Sequence, residues 1–376
     1  MKALLERHPE KLLIVSSLAL MMLGFVVIYS SSGPFCHILK PPRPTHYFLL
    51  RQLIWAVAAL AGMFVAYRLN YHVIVKISHI LMILSVLALI AVFPLSKTEI
   101  KRWINVGGFT FQPSEFFKIT LVAFMARIAS KSAGQVFDYR QYMPFLVAMA
   151  LGAALIIKEP DLGTTALVMG VALSMLILSD FPKRYIALIG VAFLIVASTM
   201  VFGLGYEIDR VQKYGTTLTD PFDSTASYQT RQSLVSLGSG GIIGKGLGNG
   251  GQKHLFLPAR HTDFILSAAA EEGGFIFVTI ILGLFWMIGW AGYRIAKSAI
   301  DIEGMFFAWG ILLFIMLQAM INIGVALGVF PITGMTLPFL SYGGSSLLVC
   351  SIGIGMVASV ARQSKSAKHY FKRIRA

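Results

Sequence analysis

The sequence "DFILSAAAEEGGFIFVTIILGLFWMIGWAGYR" runs from Asp263 to Arg294 and places a long apolar segment behind a short acidic start. Read as an α-helix, the 31 steps from Asp263 to Arg294 cover about 46 Å at 1.5 Å per residue. The hydrocarbon core of a bilayer is only about 30 Å thick. The segment is therefore long enough to cross a membrane, and its helix must start outside the core, tilt or break. The Gly273-Gly274 pair offers a break.

Further apolar segments give the whole chain the composition of a membrane protein. Of its 376 residues, 56% are hydrophobic and 13% are charged, and the mean hydropathy is +0.74. A soluble domain carries about 25% charged residues, and a spanning helix needs roughly 20 mostly apolar ones. We therefore predict an all-α polytopic fold, a single transmembrane domain over 1–376, with ten membrane-spanning helices at about 12–30, 49–67, 77–95, 113–130, 143–158, 164–179, 185–204, 264–293, 304–328 and 345–361.

The distribution of Lys and Arg predicts the orientation, because short cytoplasmic loops carry an excess of them. With both termini inside, 18 of the 32 Lys and Arg residues are cytoplasmic, including those of the tail 362–376. Another six lie in one long outer loop, 205–262, between helices 7 and 8, and the rule discounts long loops. Cytoplasmic loops thus explain the net charge of +15 better than a nucleic-acid partner does, and we predict no such partner.

Asp263 is the first candidate site residue, and two interpretations of it stand side by side. Thr262 could cap a helix that begins at Asp263, and the helix dipole would favour an acid there. The same position, near water and lipid headgroups, suits an ionised general base. Glu271 and Glu272 lie two or more turns deeper, where acids are rare and usually functional. Neighbouring positions diverge by about 100° on a helix, so at most one would face a common cavity; an internal salt bridge is the alternative.

The stretch "KRWINVGGFTFQPSEFFK", from Lys101 to Lys118, is the second candidate cluster. Trp103 is either an interfacial anchor or a stacking surface for a sugar, with Lys101 and Arg102 holding phosphate. Glu115 and Lys118 lie three residues apart, so they can neutralise each other inside the fourth span. We predict a structural ion pair for these two residues.

Other outer residues extend the candidate site. Tyr342 lies in "SYGGSS" at the mouth of the tenth span, and "KEPDLGTT" forms a tight outer turn between the fifth and sixth. The outer cations are either solvated surface groups or a funnel for an anionic ligand; they include Lys101, Arg102, Lys245, Lys253 and Arg260. The spacing of His254 and His261 predicts no zinc site, and the two cysteines are predicted not to pair.

Five blocks occur in order along most of the chain, and together they resemble the SEDS proteins (shape, elongation, division and sporulation), which include RodA, FtsW and SpoVE. The blocks are "KRWINVGGFTFQPSEFFK", "EPDLGTT", "YQTRQSLVSLGSGGIIGKGLGNGGQKHLFLPARHTDF", "AEEGG" and "NIGVALGVFPITGMTLPFLSYGGSS". The "GLGNGGQK" and "GMTLPFLSYGGSS" segments look like FtsW or SpoVE. One departure is "AEEGG", where the family usually has "EELG", so Gly273 follows Glu272.

The resemblance implies a peptidoglycan glycosyltransferase that polymerises lipid II at the outer face of the bacterial inner membrane. It also implies a class B penicillin-binding protein as partner, together with other membrane proteins of the division or elongation complex. In the family the acid of the "HTDF" block, here Asp263, is regarded as catalytic, and the residue matching Trp103 also looks important. No cofactor is certain, although a divalent cation, Mg²⁺ or Mn²⁺, would suit the pyrophosphate leaving group.

The implied chemistry assigns further roles. Asp263 would take a proton from the attacking hydroxyl, and nearby cations would stabilise the departing pyrophosphate; the candidates are Lys101, Arg102, Lys118, Lys245, Lys253 and Arg260, with His261 and Tyr342 as additional substrate contacts. The alternatives are a lipid II flippase, a RodA-type elongation polymerase and a non-catalytic scaffold for the penicillin-binding protein.

Overall fold

The computed structural model describes residues 8–39, 41–96, 101–107, 109–132, 134–205, 207–220, 223, 226–251 and 257–374. Two sequence predictions fall partly beyond them. Lys253 lies outside the described residues, as does the end of the predicted tail 362–376.

Thirteen α-helices and one β-hairpin make up the described part of the chain. The helices are α1 Pro9–Ile38, α2 Tyr47–Arg68, α3 Tyr71–Lys76, α4 Ser78–Leu95, α5 Pro113–Ser132, α6 Tyr139–Lys158, α7 Leu162–Leu178, α8 Lys183–Ser198, α9 Ile208–Thr219, α10 Tyr228–Ser239, α11 Ile265–Lys297, α12 Ile302–Ala326 and α13 Gly344–Ile374. A π-helical turn, Thr199–Gly203, continues α8. The predicted all-α class is confirmed, with the hairpin as its exception.

Each of the ten predicted spans coincides with a long helix. Eight of these helices are both long and apolar enough to cross a membrane. The other two are α7, which has 17 residues, and α5, which carries the charged Glu115 and Lys118 in its first turns. The chain is thus a multi-pass helical protein, while the count of ten crossings and the orientation stay predictions.

The hairpin pairs β1, Ile104–Val106, with β2, Phe109–Phe111, in antiparallel register, Asn105 opposite Thr110. We did not predict it. The signal was present, because a Gly-Gly turn between β-branched and aromatic residues is typical of a two-residue hairpin. Gly107 takes a φ of +58° there. The hairpin positions the Arg102–Trp103 pair at the edge of the bundle.

Small residues let the central helices approach closely. α13 packs along α2, and α11 packs along α1. A Cβ added to Gly355 of α13 would lie 2.3 Å from the carbonyl oxygen of Met63 in α2. Without a hydrophobic driving force between helices in lipid, such close backbone contacts are a main source of association.

Of the three ways in which the long segment after Asp263 could fit a bilayer, the structure has the break at the Gly273-Gly274 pair. Gly274 has φ +69° and ψ −169° inside α11, and only glycine adopts that conformation readily. The glycine-rich outer loop pairs with the opened backbone: the N–H of Lys245 donates to the carbonyl of Glu271 at 3.0 Å, and that of Phe275 donates to Gly241 at 2.9 Å. The freed polar groups are therefore satisfied by protein, as membrane depth requires.

Candidate active site

A tight turn before α11 carries Asp263. The backbone N–H groups of Thr262, Asp263 and Phe264 all donate to the carbonyl oxygen of Ala259, at 3.1, 3.0 and 3.3 Å. Ala259 has a φ of +53°, which bends the chain away from helical geometry. Of the two interpretations of Asp263, the helix cap by Thr262 does not form, because α11 begins at Ile265 and the Thr262 hydroxyl donates to Ala259 at 3.0 Å. We call residues 259–264 the catalytic turn, after the role that the family resemblance implies for Asp263.

Two buried side chains fasten the catalytic turn to the bundle. The amide Nδ2 of Asn322 in α12 donates to the carbonyl of Asp263 at 2.9 Å. The hydroxyl of Ser341, just before α13, donates to the carbonyl of Thr262 at 2.6 Å. Both contacts hold the backbone, so they position the Asp263 side chain without using its carboxyl group.

The Asp263 side chain faces a cavity of about 420 Å³, which we call the polar cavity. Four of the residues predicted to act in catalysis or bind substrate line it: Arg102, Trp103, Asp263 and Tyr342. They come from the start of the hairpin, the catalytic turn and the segment before α13, which are far apart in sequence. The fold thus brings an acid, a cation and two aromatic rings around one space.

The other predicted cations that the structure describes do not line the polar cavity. Lys101 is exposed and does not line the polar cavity. Lys245 is held by Glu271, with its Nζ 2.9 Å from Oε1. Arg260 and His261 line a separate cavity on the other side of the catalytic turn. The interpretation of all outer cations as one funnel is therefore too broad. Arg102 lines the polar cavity, whereas Lys245 is held in an ion pair and Arg260 lines another cavity.

Arg102 is the buried cation of the polar cavity. Its Nε donates to the carbonyl of Glu159 at 3.0 Å. Its Nη1 lies 3.9 Å from Asp161, and its Nη2 lies 3.9 Å from Glu207. The side chain thereby joins the α6–α7 turn to the long outer loop. Both carboxylates are at the outer limit of ion-pair distance, and Arg102 also lines the polar cavity.

Burial raises the pKa of Asp263 to about 6. A hydrogen bond from Thr262 and the charges of Arg102 and Arg210 lower that pKa, whereas the charge of Asp161 raises it. The result is a carboxyl group that is largely ionised at pH 7 yet basic enough to take a proton. A general base works best when its pKa lies near the working pH.

Glu159 is a second acid with a raised pKa, at the α6–α7 turn. Burial, followed by the charge of Asp161, raises its pKa to about 8. The residue is fully buried, and neither carboxyl oxygen has a hydrogen-bond partner among the described residues. At pH 7 it is therefore mainly neutral. Glu159 contacts the site through its backbone carbonyl oxygen, which accepts a hydrogen bond from Arg102.

Sequence reasoning missed two arginines of the polar cavity. Arg51 lies in the first turns of α2, and Arg210 lies on α9; both line the cavity. Arg51 stood inside a predicted span at 49–67, where a charged residue marks a functional position by default. That signal would have identified it. Arg210 could not be separated from the other surface cations of the long loop.

The predicted pair of Glu115 and Lys118 forms deep in the bundle. Their Oε1 and Nζ atoms are 2.8 Å apart, and Lys118 also donates to Gln318 of α12 at 3.0 Å. Glu115 borders the polar cavity. Since Lys118 is buried and fully engaged, it holds α5 against α12 instead of reaching a leaving group.

Replacing Lys118 with Met is expected to destabilise the protein by roughly 3–5 kcal/mol, because it leaves the buried Glu115 carboxylate without its cation. The measurement is thermal unfolding of the purified protein in detergent. The matched control is the double variant Glu115→Gln with Lys118→Met, which removes both charges and should recover much of the loss. A single variant as stable as the wild type would show that the pair has no structural role.

Glu271 and Glu272 face the outer loop and do not line the polar cavity. Glu271 accepts from Lys245 Nζ at 2.9 Å and from the N–H of Gly251 at 2.8 Å. Glu272 accepts from the Ser30 hydroxyl at 2.6 Å. The internal pairing that we considered as the alternative is what the structure shows. Glu271 thereby joins the glycine-rich loop to α11, and Glu272 joins α11 to α1. The glycine-rich loop precedes the catalytic turn in sequence.

Comparison with known proteins matches nearly the whole chain. The family model described as cell cycle protein, which covers FtsW, RodA and SpoVE, matches residues 10–366. Stage V sporulation protein E of Bacillus subtilis is 36% identical over 365 residues, 96% of this chain and 99% of that protein. A probable peptidoglycan glycosyltransferase FtsW of Geobacter metallireducens is 36% identical over 366 residues, 96% of each chain.

A solved structure gives the same result for the fold. It concerns the structural coordination of polymerization and crosslinking by a peptidoglycan synthase complex. One of its chains aligns with a TM-score of 0.74 and 26% sequence identity, over 94% of this chain and 97% of that chain.

Proposed function

This chain belongs to the FtsW, RodA and SpoVE family, and we propose that it polymerises lipid II with Asp263 as the general base. The activity is that of a peptidoglycan glycosyltransferase, the function named for FtsW relatives that match almost end to end. One observation carries the assignment of Asp263: its carboxyl group shares the polar cavity with Arg102 and Trp103. The chain is FtsW-like, and its relatives point to cell-wall synthesis in division.

The reaction joins two lipid-linked sugars. The 4-hydroxyl oxygen of the acceptor's terminal N-acetylglucosamine attacks the anomeric carbon of the donor. A C–O bond forms, the bond from that carbon to the donor's pyrophosphate breaks, and the hydroxyl proton passes to Asp263. A positioned base of this kind contributes about 10²–10⁴-fold to the rate.

The departing pyrophosphate gains negative charge, and three guanidinium groups surround the space where it would form. Arg102, Arg51 and Arg210 all line the polar cavity. Arginine binds phosphate oxygens through paired N–H donors, and fixed donors aimed at developing charge stabilise a transition state. Trp103 offers an aromatic face on which a sugar ring can stack.

A divalent cation fits this arrangement. Among the described residues no group of three His, Cys, Asp or Glu side chains is placed to hold a metal. Mg²⁺, however, is commonly bound by one or two carboxylates together with substrate phosphates. Asp161 lines the polar cavity and would serve in that way, which leaves the Asp263 carboxylate free to accept the proton. When bound, the ion would neutralise charge on the pyrophosphate.

The active site lies, in our proposal, at the outer face of the bacterial inner membrane, with both termini in the cytoplasm. The positive-inside rule supports that orientation. A class B penicillin-binding protein is the proposed partner, because a structural neighbour belongs to a peptidoglycan synthase complex that couples polymerization to crosslinking. Lipid II is the proposed substrate, and other division proteins are proposed neighbours.

The rival functions make different predictions for vesicles in which lipid II is accessible from the outer face. A glycosyltransferase forms glycan polymer, a flippase moves labelled lipid without polymer, and a scaffold does neither while binding its partner. The paired state of Glu115 with Lys118, and of Glu271 with Lys245, favours structural roles for the intramembrane charges over a transport path.

The polymerisation rate is expected to rise with pH through about pH 6. Asp263 is active only when deprotonated and its pKa is raised to about 6, so each pH unit below that value should cost about tenfold in rate. The measurement is the initial rate on lipid II between pH 5 and 8. The control is the variant Asp263→Glu, in which the acid limb of the pH–rate profile should move. A flat profile across this range would remove Asp263 as the titrating base.

A further inference from the structure

A second cavity lies across the catalytic turn from the polar cavity. It has a volume of about 520 Å³, and Thr262 lines both spaces. Phe35 and Ile38 from the end of α1 and Phe48 from the start of α2 form its apolar wall. Ile38 is 51% exposed, so the wall continues to the outer surface of α1. We call this space the apolar cavity.

Arg260 is the buried cation of the apolar cavity. It is only 4% exposed, and its Nη2 lies 4.0 Å from Glu272, the limit of an ion pair. Its Nε and Nη1 atoms have no hydrogen-bond partner among the described residues. A guanidinium has five N–H donors, and leaving buried donors unpaired is costly. Among the described residues, only the charges of Glu272 and Glu271 act on this side chain, and an anionic ligand in the cavity would supply acceptors for its unpaired N–H groups.

His261 adds a polar but uncharged group. Its ring packs 4.7 Å from that of Phe48 and 5.5 Å from that of Phe35, measured between centroids. Burial, together with the charge of Arg260, lowers its pKa to about 4, so it is neutral at pH 7. Its Nδ1 also lacks a partner among the described residues. The cavity thus combines apolar walls, one cation and one neutral hydrogen-bonding group.

This combination suits an amphiphile with a phosphate at the end of an apolar chain. The aromatic and aliphatic wall suits the chain, and arginine is the residue best adapted to phosphate oxygens. Only three of the nine lining residues, Arg260, His261 and Thr262, have polar side chains, so a sugar would find few partners there. A polyprenyl pyrophosphate has the required chemistry.

The reaction needs two such groups, at different distances from Asp263. The donor's pyrophosphate is attached to the reacting carbon, so it must lie in the polar cavity. The acceptor reacts through the far end of its disaccharide, so its own pyrophosphate lies a disaccharide away. Resting on the proposed function, we propose that the apolar cavity binds the polyprenyl pyrophosphate of the acceptor, with Arg260 on the phosphates and the Phe35–Phe48 wall on the first prenyl units.

Equilibrium binding tests the assignment directly. The probe is radiolabelled farnesyl pyrophosphate, and the protein is the full chain in detergent with Asp263→Asn, which stops turnover. Two sites per protein are expected. Adding Arg260→Met should weaken one of them by about tenfold or more, whereas adding Lys101→Gln, which removes an exposed cation outside both cavities, should leave two. Ile38→Trp, a change at a half-exposed position, should block the same site without touching Arg260.

Kinetics separates this inference from the proposed function. Relative to wild type, Arg260→Met should raise the KM for lipid II about tenfold and change kcat little, and Arg260→Lys should recover part of the loss. If wild type polymerises lipid II while Arg260→Met and Ile38→Trp keep both sites and a normal KM, the inference is wrong and the function stands. Displacement of farnesyl pyrophosphate by an equal concentration of phosphatidylglycerol would also overturn the inference. If wild type forms no polymer, the function fails while the binding result still stands.

Discussion

Asp263→Asn is expected to lower lipid II polymerisation by at least about 10²-fold, because an amide of the same shape cannot take the acceptor's proton. The variant should fold normally, since Asn322 holds the backbone carbonyl of residue 263 and not its side chain. The measurement is the rate of glycan formation by the purified protein with its transpeptidase partner, beside a thermal unfolding curve.

Asp209→Asn is the matched control for that experiment. Asp209 is an exposed acid in the first turn of α9, so the control also removes one outer carboxylate. Its rate should stay close to that of the wild type. A normal rate in the Asp263 variant, with partner binding intact, would exclude the residue from the chemistry.

Arg102→Met should have the second largest effect, again at least about 10²-fold in kcat/KM. The substitution removes the buried guanidinium proposed to face the pyrophosphate, and it takes from Asp161 the cation that lies 3.9 Å away, whereas Glu207 keeps its 2.7 Å pair with Arg210. It also removes a charge that lowers the pKa of Asp263. That pKa should therefore rise above 6, and the acid limb of the pH–rate profile should move to higher pH.

Two controls define what Arg102 contributes. Arg102→Lys keeps the charge but loses the paired donors, so an intermediate rate is expected. Lys101→Gln removes the neighbouring exposed cation and should change little. Equal effects of Arg102→Met and Lys101→Gln, or an acid limb that stays near pH 6 in Arg102→Met, would contradict the assigned role.

Eight of the helices could be predicted from sequence because each contains a long apolar run, a signal that is local. The break in α11 was predictable for the same reason, since Gly274 lies inside a segment too long for the bilayer. The hairpin before α5 was missed although "INVGGFTF" carries the pattern of a tight turn. Its strands are only three residues long, so their pattern is much weaker than that of the long apolar segments on which the prediction was based.

The composition of the site was only partly predictable, because it depends on contacts between segments that are far apart in sequence. No single segment indicates which others it will contact. Arg102 and Lys245 look alike as outer cations in sequence. In space Arg102 lines the polar cavity, whereas Lys245 is held by Glu271. The prediction placed Asp263 at the site, and the residue does line the polar cavity, but the local geometry was not predicted: Ala259 has a positive φ, and a turn stands where a helix cap was one of the two interpretations.

The most direct test of Asp263 as the base is the pH–rate profile of lipid II polymerisation at saturating substrate, measured for the wild type and for Asp263→Asn together. We predict an acid limb near pH 6 in the wild type, from the raised pKa of that carboxyl group, and a much slower variant whose residual rate has no such limb. A variant that retains the same limb would show that another group accepts the proton.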